Sequence, residues 1–258
     1  MPLIHYKKEE SIAWITLQRP EKFNAFVREM ALELQLRLDE AAQDEQVRCV
    51  VISGSGKAFC AGQDLAEAID PEGPQLTRIV EEHYNPIILK IRQMGKPVIA
   101  AVNGVAAGAG ANIALACDVV MAASSATFIQ AFSKIGLIPD SGGTFMLPRL
   151  VGFARATALM MLGEKVSATE AQQMGMIYRA VDDSEFINEV EDLAKKLASY
   201  PTYALGLTKR ALNNSLVQGL EEQLNTEGVL QTLAGNSHDY NEGVNAFLEK
   251  RTPEFKGF

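Results

Sequence analysis

Basic residues are scarce. The 258-residue chain carries 24 Lys and Arg against 32 Asp and Glu, a formal charge of −8. Non-specific nucleic-acid binding needs a dense basic surface, so that class is disfavoured. Cysteine and histidine number three each. Cys49, Cys60 and Cys117 form no CxxC pair, and an odd count speaks against a disulfide framework; a reducing, cytoplasmic setting fits. Nothing in the His and Cys spacing suggests a metal site. No apolar run approaches the ~20 residues that span a bilayer, so no membrane partner is expected. The first eight residues lack the apolar core and small-residue cleavage site of a secretory signal. Nucleotide and hydrolase signatures are missing too. There is no GxxxxGK[ST], Gly108-Ala109-Gly110 is followed by Ile113 where GxGxxG needs a third small residue, and neither Ser55 nor Ser141 sits in GxSxG.

Apolar residues are plentiful, at 47%, enough for a substantial core. The length suits one large domain, or one with a small appendage. Alternation over 11–17 predicts a strand ended by Arg19-Pro20. Phe26, Met30, Leu32, Leu34 and Leu38 predict an amphipathic helix over 24–42. Further strands are expected over 48–53, 96–102 and 118–122, a helix over 84–94 and a surface loop over 71–74. From 154 onward helices dominate, over 154–162, 169–174, 184–199, 204–218, 222–233 and 242–250. Alternating strands and helices predict an α/β fold with largely parallel sheets. The helical tail would pack on a neighbour or form a lid.

Three small-residue loops stand out. They are Phe59-Cys60-Ala61-Gly62-Gln63-Asp64-Leu65, the stretch from Asn103-Gly104 to Gly110-Ala111-Asn112, and Gly136-Leu137-Ile138-Pro139-Asp140-Ser141-Gly142-Gly143-Thr144. Glycine and alanine let a ligand approach the backbone closely. The second loop follows a strand and enters an apolar helical segment, whose exposed N–H groups would stabilise an anion or a developing oxyanion.

These loops, in this order and with Gly243-Val244-Asn245-Ala246-Phe247-Leu248-Glu249-Lys250-Arg251 at the end, resemble the crotonase (enoyl-CoA hydratase/isomerase) superfamily over essentially the whole chain. The resemblance implies a crotonase-like α/β spiral of ββα units. It implies one domain over 1–258, with a spiral core over about 1–195 and a C-terminal helical trimerisation region over about 196–258. Homotrimers or dimers of trimers are implied, with an acyl-CoA substrate whose coenzyme A is part of the substrate; no separate cofactor and no metal are expected. The thioester oxygen would lie between the backbone N–H groups of Gln63 and Ala109. Ala61, Gln63, Asp64, Leu65 and Gly108 would contact the substrate, the main chain of 61–65 curling around the adenine.

In the family pattern, hydratases use two glutamates, one on the helix after the glycine loop and one just before the third loop. Those positions fall on Asn112 and Phe132, neither of which can accept a proton. Asp140 remains, where several isomerases and dehalogenases carry their acid. One carboxylate suffices to move a proton along a conjugated thioester. The implied activity is therefore isomerisation of an acyl-CoA: shifting a 3-enoyl to a 2-enoyl double bond, or rearranging a ring-1,2-epoxyphenylacetyl-CoA to its oxepin. The alternatives are a hydratase or other lyase using Asp140 differently, and a non-catalytic binding member. Taken singly, each residue also has a plainer reading. Asp140 fits ordinary turn chemistry, Asp64 would order its own loop, and Gln63 could face solvent. Asn112 could pack or cap a helix, Cys60 could be a small buried thiol and Tyr84 a half-buried helical residue, while Tyr84 and Asn85 could instead reach an acyl pocket. Lys250 and Arg251 would be solvated or touch coenzyme A phosphates.

Overall fold

The computed structural model describes residues 2–258. Ten strands form two sheets, and the chain climbs between them as it advances. β1 (Ile4–Glu9) and β2 (Ile12–Leu17) make an antiparallel hairpin, and α1 (Arg28–Gln43) follows. β3 (Cys49–Gly54) pairs parallel with β2 in the first sheet; β4 (Ala58–Cys60) starts the second. Two short helices, α2 (Leu65–Ala68) and α3 (Leu76–Arg78), lead through a π-helical turn at Ile79–Tyr84 into α4 (Asn85–Gln93). β5 (Val98–Val102) then enters the first sheet and β6 (Val105–Ala107) the second, before α5 (Ala109–Ala116). β7 (Val119–Ala123) and β8 (Thr127–Ile129) repeat the step. After α6 (Gly143–Val151) and α7 (Phe153–Leu162), β9 (Lys165–Ser167) closes the second sheet antiparallel to β8. Beyond α8 (Ala168–Gln173), β10 (Arg179–Val181) closes the first sheet.

The sheet orders are β1-β2-β3-β5-β7-β10 and β4-β6-β8-β9. Three successive turns thus each place one strand in each sheet and then a helix, the ββα spiral implied by the resemblance. The central strand β5 is wholly buried, as is every residue of α5. A helix surrounded by protein is apolar all round, and the run Ala109-Gly110-Ala111-Asn112-Ile113-Ala114-Leu115-Ala116 has no charged residue.

The chain ends in four helices, α9 (Phe186–Ser199), α10 (Thr202–Ser215), α11 (Leu220–Gly235) and α12 (His238–Glu249). α9 packs on β2, β3 and β7, so the expected boundary near residue 195 falls inside a helix that still covers the sheet.

The sequence pattern missed β1, β4, β6, β8, β9 and β10. Apart from β1 these are three residues long, too short for a period to register. The helix expected over 24–42 begins only at Arg28, because Phe23 and Asn24 adopt left-handed conformations and Val27 is extended. Phe26 therefore lies outside the helix, in an isolated parallel bridge with Gln63.

One partly buried ionic cluster ties the helical tail to the spiral. Lys209 of α10 is 6% exposed and lies 2.7 Å from Asp118 Oδ2, while Arg92 of α4 reaches Oδ1 at 3.2 Å. The Val98 N–H donates to Asp118 Oδ2 at 2.8 Å, and Asn213 binds Arg92 through both its guanidinium and its carbonyl. Burial pulls the Lys209 ammonium below its usual range, and Asp118 partly restores it. Removing one partner strands the other charge. Asp118→Ala is expected to cost about 3–5 kcal/mol, read as a lower urea-unfolding midpoint.

Candidate active site

The site forms where two turns of the spiral touch. Gly110, in the first turn of α5, lies so close to β4 that a Cβ there would sit 2.3 Å from the Cys60 carbonyl oxygen and 2.7 Å from its Sγ. Only a residue without a side chain permits that approach. Immediately after Cys60 the chain turns through Gly62 at φ +89°, a conformation that favours glycine. A Cβ built on Gly62 would lie 3.4 Å from the Ala109 nitrogen. The first loop and the start of α5 are thus in contact. The Gln63 strand-like segment is held from the other side, since Phe26 N–H donates to the Gly62 carbonyl at 2.7 Å and Asp64 N–H to the Phe26 carbonyl at 2.8 Å. Among the described residues, neither the Gln63 N–H nor the Ala109 N–H has an acceptor. Ala109 is the first residue of α5, where the helix offers no internal partner.

The Gln63 side chain does not face solvent freely. The Tyr84 hydroxyl donates to its Oε1 at 2.8 Å, and its Nε2 donates to Glu67 Oε2 at 2.8 Å. Glu67 in turn accepts from the Arg28 N–H at 2.9 and 3.1 Å. Tyr84 is fully buried, its ring edge-on to Phe26 with centroids 5.8 Å apart. It stands at the end of the π-helical turn, a distortion often found at functional sites. Burial raises its phenol well above the usual range, and the neighbouring Cys60, Asp140 and Glu67 add to the rise.

Asp140 is on a turn with two consecutive left-handed residues, Ser141 at φ +51° and Gly142 at φ +71°. Its carbonyl accepts from the Gly143 N–H at 2.9 Å and from Asn112 Nδ2 at 2.9 Å. Asn112 belongs to the first turn of α5, so the third loop joins the other two through this bond. The Asp140 carboxylate accepts from the Ser141 hydroxyl at 2.8 Å. Burial raises its pKa above the usual aspartate value, against the Ser141 hydrogen bond, which lowers it. Phe132 is buried and turns its ring toward Gly108, 3.7 Å from where a Cβ would stand.

The remaining candidates are placed as follows. Asp64 caps α2, accepting from the Ala66 N–H at 2.9 Å, and pairs with Arg19 at 2.7 Å. Leu65 is exposed and Ala61 half-buried beside it. Cys60 is buried and its thiol pushed up to about 12 by burial, so it is no nucleophile. Arg251 is not free for a phosphate: it binds Glu242 at 2.6 Å and Glu249 at 2.6 Å, and Lys250 ends α12 in a left-handed conformation. Both acids lie on α12, two and nine residues before Arg251. The bridge from Phe26, the Arg28–Glu67 contact and the Gln130 contact described below escaped the sequence, because each partner is remote in the chain. A separate hollow of about 630 Å³ between the first sheet and α9, lined by Trp14, Phe186 and Val190, meets these loops only at Asn103.

The Enoyl-CoA hydratase/isomerase family model matches residues 7–257, and the chain belongs to that family. It is 49% identical, over 96% of both chains, to the 1,2-epoxyphenylacetyl-CoA isomerase of Escherichia coli (strain K12). It is 48% identical, over 98% of both chains, to a protein of Rhodobacter capsulatus named "Probable enoyl-CoA hydratase". The crystal structure of enoyl-CoA hydratase from Bacillus anthracis superposes with a TM-score of 0.92 at 33% identity, covering 99% of this chain and 100% of that one. The protein is thus a crotonase-superfamily enzyme of the hydratase/isomerase class.

The raised pKa of Asp140 has a stability consequence with a definite sign. Its carboxylate is less favoured in the folded than in the unfolded chain, so the folded state loses stability as pH rises from the unfolded aspartate value of ~3.9 through the higher folded value. Asp140→Asn is therefore expected to raise the melting temperature at pH 7. At a pH below ~3.9, where the wild-type carboxyl is already neutral in both states, the two proteins should melt alike.

Proposed function

We propose that this enzyme is an acyl-CoA isomerase that uses Asp140 as its single acid–base group and the N–H groups of Gln63 and Ala109 as its oxyanion hole. The observation that carries the reading is the chemistry of positions 112 and 132. Asn112 and Phe132 stand where hydratases of the family pattern keep glutamates. The Asn112 amide is committed at both ends, to Gln130 and to the Asp140 carbonyl, and Phe132 is apolar. Glu67 is occupied by Gln63 and Arg28. Asp140, half-buried and with a raised pKa, is the carboxylate left to exchange a proton.

In this mechanism the thioester oxygen accepts hydrogen bonds from the Gln63 and Ala109 N–H groups. Asp140 removes a proton from C2; the C–H electron pair forms the C1–C2 double bond of a dienolate as the carbonyl π pair moves onto the held oxygen, and the C3–C4 double bond stays in place until C4 is protonated. The same carboxyl returns the proton at C4, converting a 3-enoyl to a 2-enoyl thioester. Two fixed N–H groups aimed at that oxygen stabilise the charged intermediate without reorganising. Ala61, Gln63, Asp64, Leu65 and Gly108 would line the coenzyme A thioester path. The relative that rearranges 1,2-epoxyphenylacetyl-CoA makes that epoxide, going to its oxepin, the favoured natural substrate. A homotrimer or dimer of trimers in the cytoplasm fits the apolar residues exposed on the last two helices, among them Leu220, Leu224, Val229, Phe247 and Leu248.

The second reading, enoyl-CoA hydration, is favoured by the Rhodobacter relative. Ultraviolet absorbance of the conjugated enoyl thioester separates the two. An isomerase gains absorbance with a 3-enoyl-CoA, and a hydratase loses it with crotonyl-CoA. Asp140→Asn should lower isomerisation by ~10²–10⁴-fold, with the dissociation constant of a saturated acyl-CoA nearly unchanged. Near wild-type turnover of both 3-enoyl-CoA and the phenylacetyl-CoA epoxide by that variant would refute the single-carboxylate mechanism. Ala109→Pro deletes one oxyanion donor, typically worth ~2.7–4 kcal/mol of barrier, and should lower turnover correspondingly.

A further inference from the structure

Asn112 is 1% exposed, yet it carries an amide into the first turn of an otherwise apolar helix. Its orientation is fixed by chemistry. The Asp140 carbonyl can only accept, so Nδ2 must face it, at 2.9 Å. Oδ1 then faces Gln130, which presents Nε2 at 2.8 Å. Gln130 is itself buried, between β8 and the 3₁₀ turn at Ala131–Ile135. Gly143, the first residue of α6, leaves just enough room: a Cβ there would stand 2.3 Å from Asn112 Nδ2. The turn held in this way is strained, because Ser141 adopts a left-handed conformation that ordinary L-residues avoid. Such a turn persists only where its surroundings over-determine it.

Resting on the reading of Asp140 as the base, the geometry points to Asn112 as a positioning residue. Through the Gln130–Asn112–Asp140 chain it clamps the left-handed turn to α5, and so aims the Asp140 carboxylate at the substrate bound at the same helix start. The residue at this position does not exchange a proton; it fixes the distance between the Ala109 donor, three residues earlier on α5, and the base. Gln130 is the anchor of that clamp, holding the amide in the one orientation that donates to the Asp140 carbonyl.

The test compares wild type, Asn112→Ala, Gln130→Ala and Asp140→Asn by steady-state kinetics on a 3-enoyl-CoA, with the dissociation constant of a saturated acyl-CoA and the melting temperature. A misplacement of about 1 Å can cost ~10²-fold in rate, so Asn112→Ala should lower kcat by about 10- to 100-fold. KM and acyl-CoA affinity should stay within about twofold, since a positioning loss falls on the transition state rather than on ground-state binding. Gln130→Ala should lower kcat in the same direction by less. The inference is overturned if Asn112→Ala keeps kcat within about fivefold of wild type, or if kcat and affinity fall together as in a general loss of structure. Asp140→Asn separates the two failures. If it retains turnover, the reading of Asp140 is wrong. If it is inactive while Asn112→Ala is not, the base stands and the clamp does not.

Discussion

Everything at the candidate site depends on one close approach, the backbone of α5 at Gly110 against β4 at Cys60. The contact joins two turns of the spiral, and it is the reason the loop after β4 meets the start of α5. Without it the unpartnered N–H groups of Gln63 and Ala109 would belong to separate parts of the molecule. The spiral supplies the contact because each turn sends one strand to each sheet, so β4 and β6 are parallel neighbours and the segments that follow them emerge side by side.

Around that contact the polar groups divide into those that are satisfied and those left available. The Gln63 side chain is held by Tyr84 and Glu67, Glu67 is held by the Arg28 N–H, and Asn112 is held by Gln130 and the Asp140 carbonyl. Left without a partner among the described residues are the N–H groups of Gln63 and Ala109 and the buried Gln130 Oε1, near a carboxylate that accepts from the Ser141 hydroxyl. A buried donor or carboxylate left short of partners costs folding free energy. It is tolerated here because neighbouring elements, including the Asp118–Lys209 cluster and the wholly buried α5, hold the frame. Strain at Ser141 and the π-helical turn before Tyr84 are further departures from regular geometry in the same region, and they too are borne by the surrounding packing.

Much of the spiral could be read from the sequence. Long periodic segments, such as those of α1, α9, α10 and β3, announce themselves by apolar spacing, and the three small-residue loops mark where backbone approaches backbone. The charge deficit and the missing nucleotide motifs removed whole classes of function. The substitutions at positions 112 and 132 could also be read, because a residue's capacity to take a proton is a property of its side chain and needs no coordinates. The three-residue strands could not be read, since a period of two has no room to repeat in Val105–Ala107 or Thr127–Ile129. Phe26 was read as helical for the same local reason. Its apolar spacing fits the helix, while the left-handed residues before it, which take it into a bridge with Gln63, leave no mark in the pattern.

By itself, then, the sequence determined which chemical groups this enzyme possesses: a backbone suited to tight approach, one carboxylate in the third loop, and at positions 112 and 132 an amide and a phenyl ring, neither of which can carry a proton. Tertiary structure decided which of those groups meet. Gln63 with Tyr84, Asn112 with Asp140 and Asp118 with Lys209 are separated by 21, 28 and 91 residues. Composition and spacing describe each member alone. Their pairing depends on how far each spiral turn advances, and that is fixed by the packing of whole strands and helices.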